Sequence, residues 1–434
     1  MGLSHRPDYS AVSDTVASQR FRTNDFSPGA NHVVSRLQEN GFDAYVVGGA
    51  VRDLLLGGKP KDFDVATNAT PEQIQRCFRS ARAVGRRFQI VHVRYGREII
   101  EVTTFRRDHT DDQADSAGRS SQSGRLLRDN VYGSLEEDAQ RRDLTINALY
   151  YDTSTHNLID QLGGQADVAA GIIRIIGDPA ERYREDPVRM LRVLRFAARL
   201  GFTIATATET AIAHHNHLLR DIPPARLFDE WLKLFMNGFS APTCQLLRKH
   251  DLLIHLMGDV MDTTQANEHS TQLQNMAMTN TDQRVADDRP VTPAFLLAAL
   301  LWPATETRAA LLAEQGESAI QAMHQAGQQI VLGASQQMAI PKRFSLAMRD
   351  IWDLQPRLER RQPKKIKDLL AHRWFRAAFD LRLLREQTSH LGDGCSSFWT
   401  AQQEKYPDLV GSARGRQEDR GRRRQRPRRR QRNA

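Results

Sequence analysis

Gly48-Gly49-Ala50-Val51-Arg52-Asp53, followed shortly by Lys61-Asp62-Phe63-Asp64, is the stretch where glycines, carboxylates and an arginine fall in a chemically usable pattern. Residues 44–47 form a short apolar, partly β-branched run leading into the glycines, and a helical pattern follows: strand, glycine turn, helix. On a strand, side chains alternate. Asp62 and Asp64 are therefore expected on one face, ~7 Å apart, with Phe63 turned into the core. Two carboxylates so placed suit a hard cation such as Mg²⁺, which takes carboxylate and phosphate oxygens. A pair of such ions would activate an attacking hydroxyl and stabilise a leaving oxygen. The glycine turn would let a phosphate chain approach the backbone at a helix start, with Arg52 neutralising its charge and Asp53 orienting Arg52. Glu101 is a third candidate carboxylate, since alternation in residues 98–105 puts it and Thr103 on one face. Taken singly, a DxD pair is more often a solvated strand edge and a Gly-Gly turn is ordinary; the combination carries the reading.

Outward from this centre, the first third of the chain is mixed and the remainder helical. Helix is expected over residues 31–40 and from Pro71. Strands are expected over 63–66, 90–95, 99–105, 146–152 and 171–177, with a hairpin around Gly96. Beyond Pro179 the periodic segments read as helices, over 188–200, 224–237, 241–250 and 293–313. Polar residues 108–124 read as a mobile loop, and 261–290 as an interruption containing a loop. The expected fold class is α+β, a mixed or antiparallel sheet followed by all-α parts. No internal repeat is evident.

The 434 residues, 40% hydrophobic, suffice for a sizeable core in several domains. The 3 cysteines, Cys77, Cys244 and Cys395, include no CxxC pair, which leaves no material for a disulfide framework or cysteine zinc site. The first 27 residues are polar and charged, so no secretion signal is expected, and no apolar run approaches the ~20 residues of a membrane span. The expected location is cytoplasmic. Net charge is +9, and residues 414–434 hold 11 arginines against Glu418 and Asp419, so the tail accounts for all of it. Without large apolar residues this tail is expected to be disordered, and its partner to be a polyanion. Arg422, Arg423, Arg424, Arg428, Arg429 and Arg430 would grip phosphates in a salt-dependent way.

GGAVRD followed by KDFDVAT resembles the signature of polymerase β-type nucleotidyltransferases. It is particularly similar to the class II branch containing tRNA CCA-adding enzymes and bacterial poly(A) polymerases. Gln140-Arg141-Arg142-Asp143-Leu144-Thr145-Ile146-Asn147-Ala148-Leu149 resembles that family's RRDxTxNAL element, which implies that Arg142, Asp143 and Asn147 contact the ribose and phosphates of a nucleotide. Arg184-Glu185-Asp186-Pro187-Val188-Arg189-Met190-Leu191-Arg192 resembles the EDxxR helix. There Asp186 and Arg189, three apart on one face, would read the base, supported by Glu185 and Arg192. Pro223-Pro224-Ala225-Arg226-Leu227-Phe228-Asp229-Glu230 resembles the bracing helix, where Arg226 and Glu230 would support.

The resemblance implies a nucleotidyltransferase head over 28–160, a neck over 161–240, a helical body and leg over 241–411 and a basic tail over 412–434, after a polar segment 1–27. Val84-Gly85-Arg86-Arg87-Phe88-Gln89-Ile90-Val91-His92-Val93, the helical stretch 364–386 and the arginine tail resemble the poly(A) polymerases more than the CCA-adding enzymes. The expected reaction transfers AMP from ATP to RNA 3′ ends without a template and releases pyrophosphate, in mRNA polyadenylation and RNA decay. Two Mg²⁺ ions, with Mn²⁺ as a substitute, would lie on Asp62 and Asp64, with Glu101 as the third catalytic carboxylate. RNA-chaperone or RNA-decay proteins are the protein partners this implies, with no stable membrane insertion. The alternatives are CCA addition to tRNA, and a noncatalytic RNA-binding protein acting through the tail. His250-Asp251, an HD dipeptide, reads as a chance helix-end pair, and His92 as a packed or hydrogen-bonded strand residue.

Overall fold

A computed structural model of the chain describes residues 21–85, 89–107, 132–261, 268–389 and 393–412. Arg86-Arg87-Phe88, the 108–124 loop, the first twenty residues and the arginine tail, including Arg422, Arg423, Arg424, Arg428, Arg429 and Arg430, lie outside the described residues. The chain divides into two compact units, Met1–His215 and Asn216–Ala434.

In the first unit, Ser27 caps helix α1 (Pro28–Glu39) by accepting the Ala30 amide proton at 3.0 Å. Strand β1 (Ala44–Val47) and helix α2 (Gly49–Leu55) follow, then β2 (Asp64–Thr67) and α3 (Pro71–Cys77), which opens with a Thr70–Gln73 capping box. Next come β3 (Ala81–Val84), β4 (Ile90–Tyr95), β5 (Glu98–Thr104), α4 (Leu135–Arg141), β6 (Leu149–Asp152) and β7 (Asn157–Asp160). These strands form one seven-stranded sheet in the order β3-β4-β5-β2-β1-β6-β7, with only β2 and β5 parallel. Val46, Val65, Val91, Val93, Ile100 and Val102 are buried on the side where α1 packs. On the other side Val47, Ala66, Phe105, Ala139 and Tyr150 make a smaller cluster near α4. That cluster covers only part of its face, and the end carrying Asp64 stays open.

The unit closes with α5 (Gly164–Ala170), β8 (Ile172–Ile173), α6 (Pro179–Glu185), α7 (Val188–Leu200), β9 (Thr203–Ile204) and α8 (Thr206–His215). Strands β8 and β9 pair in parallel as a separate two-stranded sheet. The second unit holds α9 (Pro224–Phe235), α10 (Ser240–Lys249), α11 (Leu252–Met257), α12 (Glu268–Ala286), α13 (Pro293–Leu300), α14 (Trp302–Glu314), α15 (Ala319–Gln337), α16 (Lys342–Arg360), α17 (Ile366–Ala371), α18 (Phe375–Thr388) and α19 (Cys395–Lys405). Its core is built on fully buried Trp231, Trp302, Trp352 and Trp399.

The α+β and then all-α class is as expected, with corrections in detail. The second strand starts at Asp64 rather than 63, which leaves Asp62 just before it, although exposure still alternates through Asp62, Phe63 and Asp64. Residues 146–152 are not all strand: Thr145–Asn147 is a 3₁₀ turn that ends before β6. The 171–177 strand shrinks to β8 plus an isolated bridge from Leu144 to Ile175. The interruption at 261–290 contains the 19-residue α12. Its pattern is masked because polar Gln274 and Thr281 are buried beside Leu273, Ala277 and Met278. Gln274 donates to the Leu300 carbonyl and Thr281 to the Ala277 carbonyl. The helix expected over 293–313 is two helices bent by 55°. Pro303, near the start of α14, has no amide proton to continue the first helix. Among the described residues no single helix is long and apolar enough to cross a membrane.

Candidate active site

Strand β1 ends where Gly48 takes φ +79°, a conformation that favours glycine, and its amide donates to the Leu149 carbonyl at 3.1 Å. An added Cβ there would sit 3.6 Å from Nη1 of Arg142, so the turn and this arginine are neighbours. Gly49 opens α2, which carries Arg52, only 2% exposed. Arg52 donates through Nε and Nη2 to Asp53 Oδ1, at 2.8 and 2.6 Å, and through Nη1 to Asn147 Oδ1. Its guanidinium lies 5.0 Å from the Phe196 ring centroid. Asp53 and the side-chain oxygen of Asn147 thus hold the Arg52 guanidinium in place, and the amide NH₂ end of Asn147 is not used by this contact.

Across β2 the carboxylates assemble by register. Asp64 faces Glu101 on parallel β5, and Glu101 faces His92 on β4, with His92 Nε2 3.6 Å from Glu101 Oε1. Asp64 is open to solvent on one side but dense protein surrounds it on the other. That surround, then Glu101 and Asp62, push its carboxyl up to about 6 against the opposing pull of Arg142. Loss of solvent on the packed side is the largest of these causes, and the neighbouring carboxylates add to it. Among the described residues no three His, Cys, Asp or Glu side chains converge closely enough to hold a metal by themselves. An all-oxygen donor set of this kind fits a hard divalent ion that completes its shell with substrate phosphates.

Arg142 follows α4 and is pinned from behind. Its Nε donates to Tyr150 Oη at 2.9 Å and its Nη2 to Asp138 Oδ2 at 3.1 Å, while Tyr150 Oη donates to Asp138 Oδ2 at 2.7 Å. Burial opposes its charge, but Tyr150 and Asp138 outweigh that and hold the guanidinium protonated above its ordinary range. Asp143 next to it turns the other way. It receives Arg189 Nε at 2.8 Å and Arg192 Nη1, and although burial raises its carboxyl, these two arginines bring it below the ordinary range. Arg189, 8% exposed, also donates to Glu185 and to the Arg182 carbonyl.

The placement expected for Asp186 and Arg189 needs a correction. Asp186 is not on the helix with Arg189: it is the extended residue that ends α6, and it leads into α7 by accepting the Val188 amide proton at 3.3 Å. The pair is therefore set by a helix junction rather than a shared helical face, with Pro187 at the head of α7. In the second unit, buried Glu230 accepts from Lys233 at 2.9 Å, and Arg226 lies one turn before it on α9. Three supports had no distinct sequence signal. Asp138 and Tyr150 brace Arg142, and only the four-residue spacing of Asp138 from Arg142 hints at it. Arg182, 8% exposed, donates to the carbonyls of Arg141 and Arg142 at 2.7 and 2.9 Å and to Glu185 at 2.8 Å, fastening the end of α4 to α6. His250 and Asp251 end α10 and precede α11 as a helix junction.

Comparison with known proteins agrees with this geometry. Residues 44–174 match the family described as "Poly A polymerase head domain", 201–262 that described as "Probable RNA and SrmB- binding site of polymerase A", and 315–433 "Polymerase A arginine-rich C-terminus". The chain is 48% identical over 367 residues to Poly(A) polymerase I of Escherichia coli O6:H1, covering 84% of this chain and 79% of that protein. It is 40% identical over 226 residues to the CCA-adding enzyme of Geobacillus stearothermophilus, covering 52% and 54%. The crystal structure of the Bacillus stearothermophilus CCA-adding enzyme in complex with CTP superposes with a TM-score of 0.58 at 26% identity, covering 89% of this chain and 85% of that one. With the glycine turn, the carboxylate register and the arginine supports in place, and with likeness extending through the arginine-rich end, the chain belongs to the poly(A) polymerase family.

Proposed function

We infer that this chain is a template-independent poly(A) polymerase that transfers AMP from ATP to the 3′-hydroxyl of RNA and releases pyrophosphate. The observation that carries the reading is continuity: its likeness to poly(A) polymerases runs into the arginine-rich end, whereas its sequence likeness to CCA-adding enzymes spans about half the chain.

The residues divide the work. Asp62, Asp64 and Glu101 would hold divalent ions, which when bound supply charge neutralisation and activation of the attacking hydroxyl. Gly48 and Gly49 keep the backbone bare for the triphosphate, Arg142 offers Nη1 beside them, and Arg52 holds Asn147 so that its amide NH₂ meets a ribose hydroxyl. Asp143 positions Arg189 and Arg192, which with Asp186 would form the base pocket at the head of α7. The Arg142 guanidinium, held by Tyr150 and Asp138, needs no reorganisation when charge develops on the leaving phosphates.

The test is incorporation of each labelled nucleotide by the full chain on an RNA without tRNA fold. Sustained AMP addition is expected; CMP addition to truncated tRNA would establish the CCA-adding alternative instead, and salt-sensitive RNA binding with no incorporation the noncatalytic one.

A further inference from the structure

The carboxylate row does not stop at Glu101. Register carries it across four adjacent strands on one face: Asp64 on β2, Glu101 on β5, His92 on β4 and Arg82 on edge strand β3. Arg94 stands two residues beyond His92 on the same open face of β4, where alternation buries Val91 and Val93 instead. Arg82 and Arg94 are both exposed, and among the described residues neither is engaged in an ion pair. Three strand spacings separate Asp64 from Arg82, ~14 Å.

Strand order gives this row its meaning. The turn at Gly48 and the guanidinium of Arg142, which serve the triphosphate in the function proposed above, lie on the β1 side of Asp64. His92, Arg82 and Arg94 lie on the opposite side, over β4 and β3 beyond β5. In phosphoryl transfer the attacking and leaving oxygens are in line on opposite sides of phosphorus. With the leaving pyrophosphate on the β1 side, the attacking hydroxyl and the strand behind it must enter from the other. We propose that the open face of β3 and β4 is the track for the RNA strand just upstream of its 3′ end. Arg82 and Arg94 bind its backbone phosphates, and His92 bridges from them to Glu101. Recognition there is of phosphate and therefore indifferent to base sequence.

This inference rests on the nucleotidyl-transfer reading, and the test separates the two. In the full chain, the double variant Arg82→Glu/Arg94→Glu is expected to raise KM for a short oligoadenylate about tenfold or more while KM for ATP moves less than about twofold. The slope of log KM for RNA against log salt should shrink by about 0.7 for each phosphate that is no longer neutralised. Arg82→Lys/Arg94→Lys should restore most of the affinity, since a backbone phosphate needs charge more than a fork. An unchanged KM for RNA, or a rise in KM for ATP instead, overturns the track.

A second measurement needs no turnover. RNA carrying 4-thiouridine a few nucleotides from its 3′ end should crosslink to the β3 and β4 strands, residues 81–84 or 90–95, and the Glu double variant should lose that adduct. Adducts confined to other peptides overturn the proposal. Failure of the wild-type chain to add AMP would instead strike the proposed function, leaving the crosslink to judge the track.

Discussion

At the scale of single residues, the site depends on charges that are not balanced in place. Asp64 sits against Glu101 by register and near Asp62; the protein packed around it, and then these two carboxylates, raise its carboxyl, a cost that a bound divalent ion would relieve. Asp64→Asn and Asp62→Ala should each reduce AMP transfer by at least about a thousandfold with the fold retained, because both side chains are exposed and neither fills the core. Single-turnover rates and circular dichroism check this; an active, folded variant would remove the metal assignment. Asp143 is the opposite case, a carboxyl held low by Arg189 and Arg192. A lowered carboxyl contributes stability above its ordinary value near ~4, and that stability is lost as pH falls through its lower folded value. Asp143→Asn should cost about 2 kcal/mol at neutral pH and blunt the wild-type loss of stability below pH ~4, as read by denaturant titrations at a series of pH values.

Between elements, arginines act as fasteners. Arg182 on α6 satisfies carbonyls at the end of α4 that would otherwise lack partners, and the same α4 end delivers Arg142 to the glycine turn. Arg182→Met keeps the bulk and loses the donors, so it should destabilise by about 2–3 kcal/mol and lower kcat/KM for ATP about tenfold or more, measured by thermal melts and initial rates. Legibility at this scale was uneven. Residues 44–47 matched because an apolar, partly β-branched run ending at glycines suits a strand buried on both faces, and 188–200 because its apolar residues follow the helical period. Helix α12 was hidden because Gln274 and Thr281 take core positions and meet their hydrogen-bond needs with carbonyls only the folded chain supplies. Edge strand β3 was also missed. Its exposed residues carry no alternation, and pairing with β4 alone makes it a strand.

Over the whole molecule, charge and chemistry are separated along the chain. The sheet unit holds the carboxylates and the arginine fasteners, while the arginine tail holds the net charge of the protein. Deleting residues 414–434 should weaken RNA binding and flatten its salt dependence more than any single substitution, without changing ATP affinity. Fluorescence anisotropy across a salt series checks this, and unchanged RNA binding would assign the tail to another role.

The local sequence determined the glycine turn, the alternation that puts Asp62 and Asp64 on one side, and the arginine and asparagine that follow, because sterics and side-chain period act over a few residues. What only the tertiary structure decided was strand order and helix junctions: that β5 lies between β2 and β4, so that Glu101 and His92 continue the row to Arg82, and that Asp186 precedes α7 instead of sharing its face. Those facts come from pairings between segments distant in sequence, and no local period encodes which strand will lie beside which.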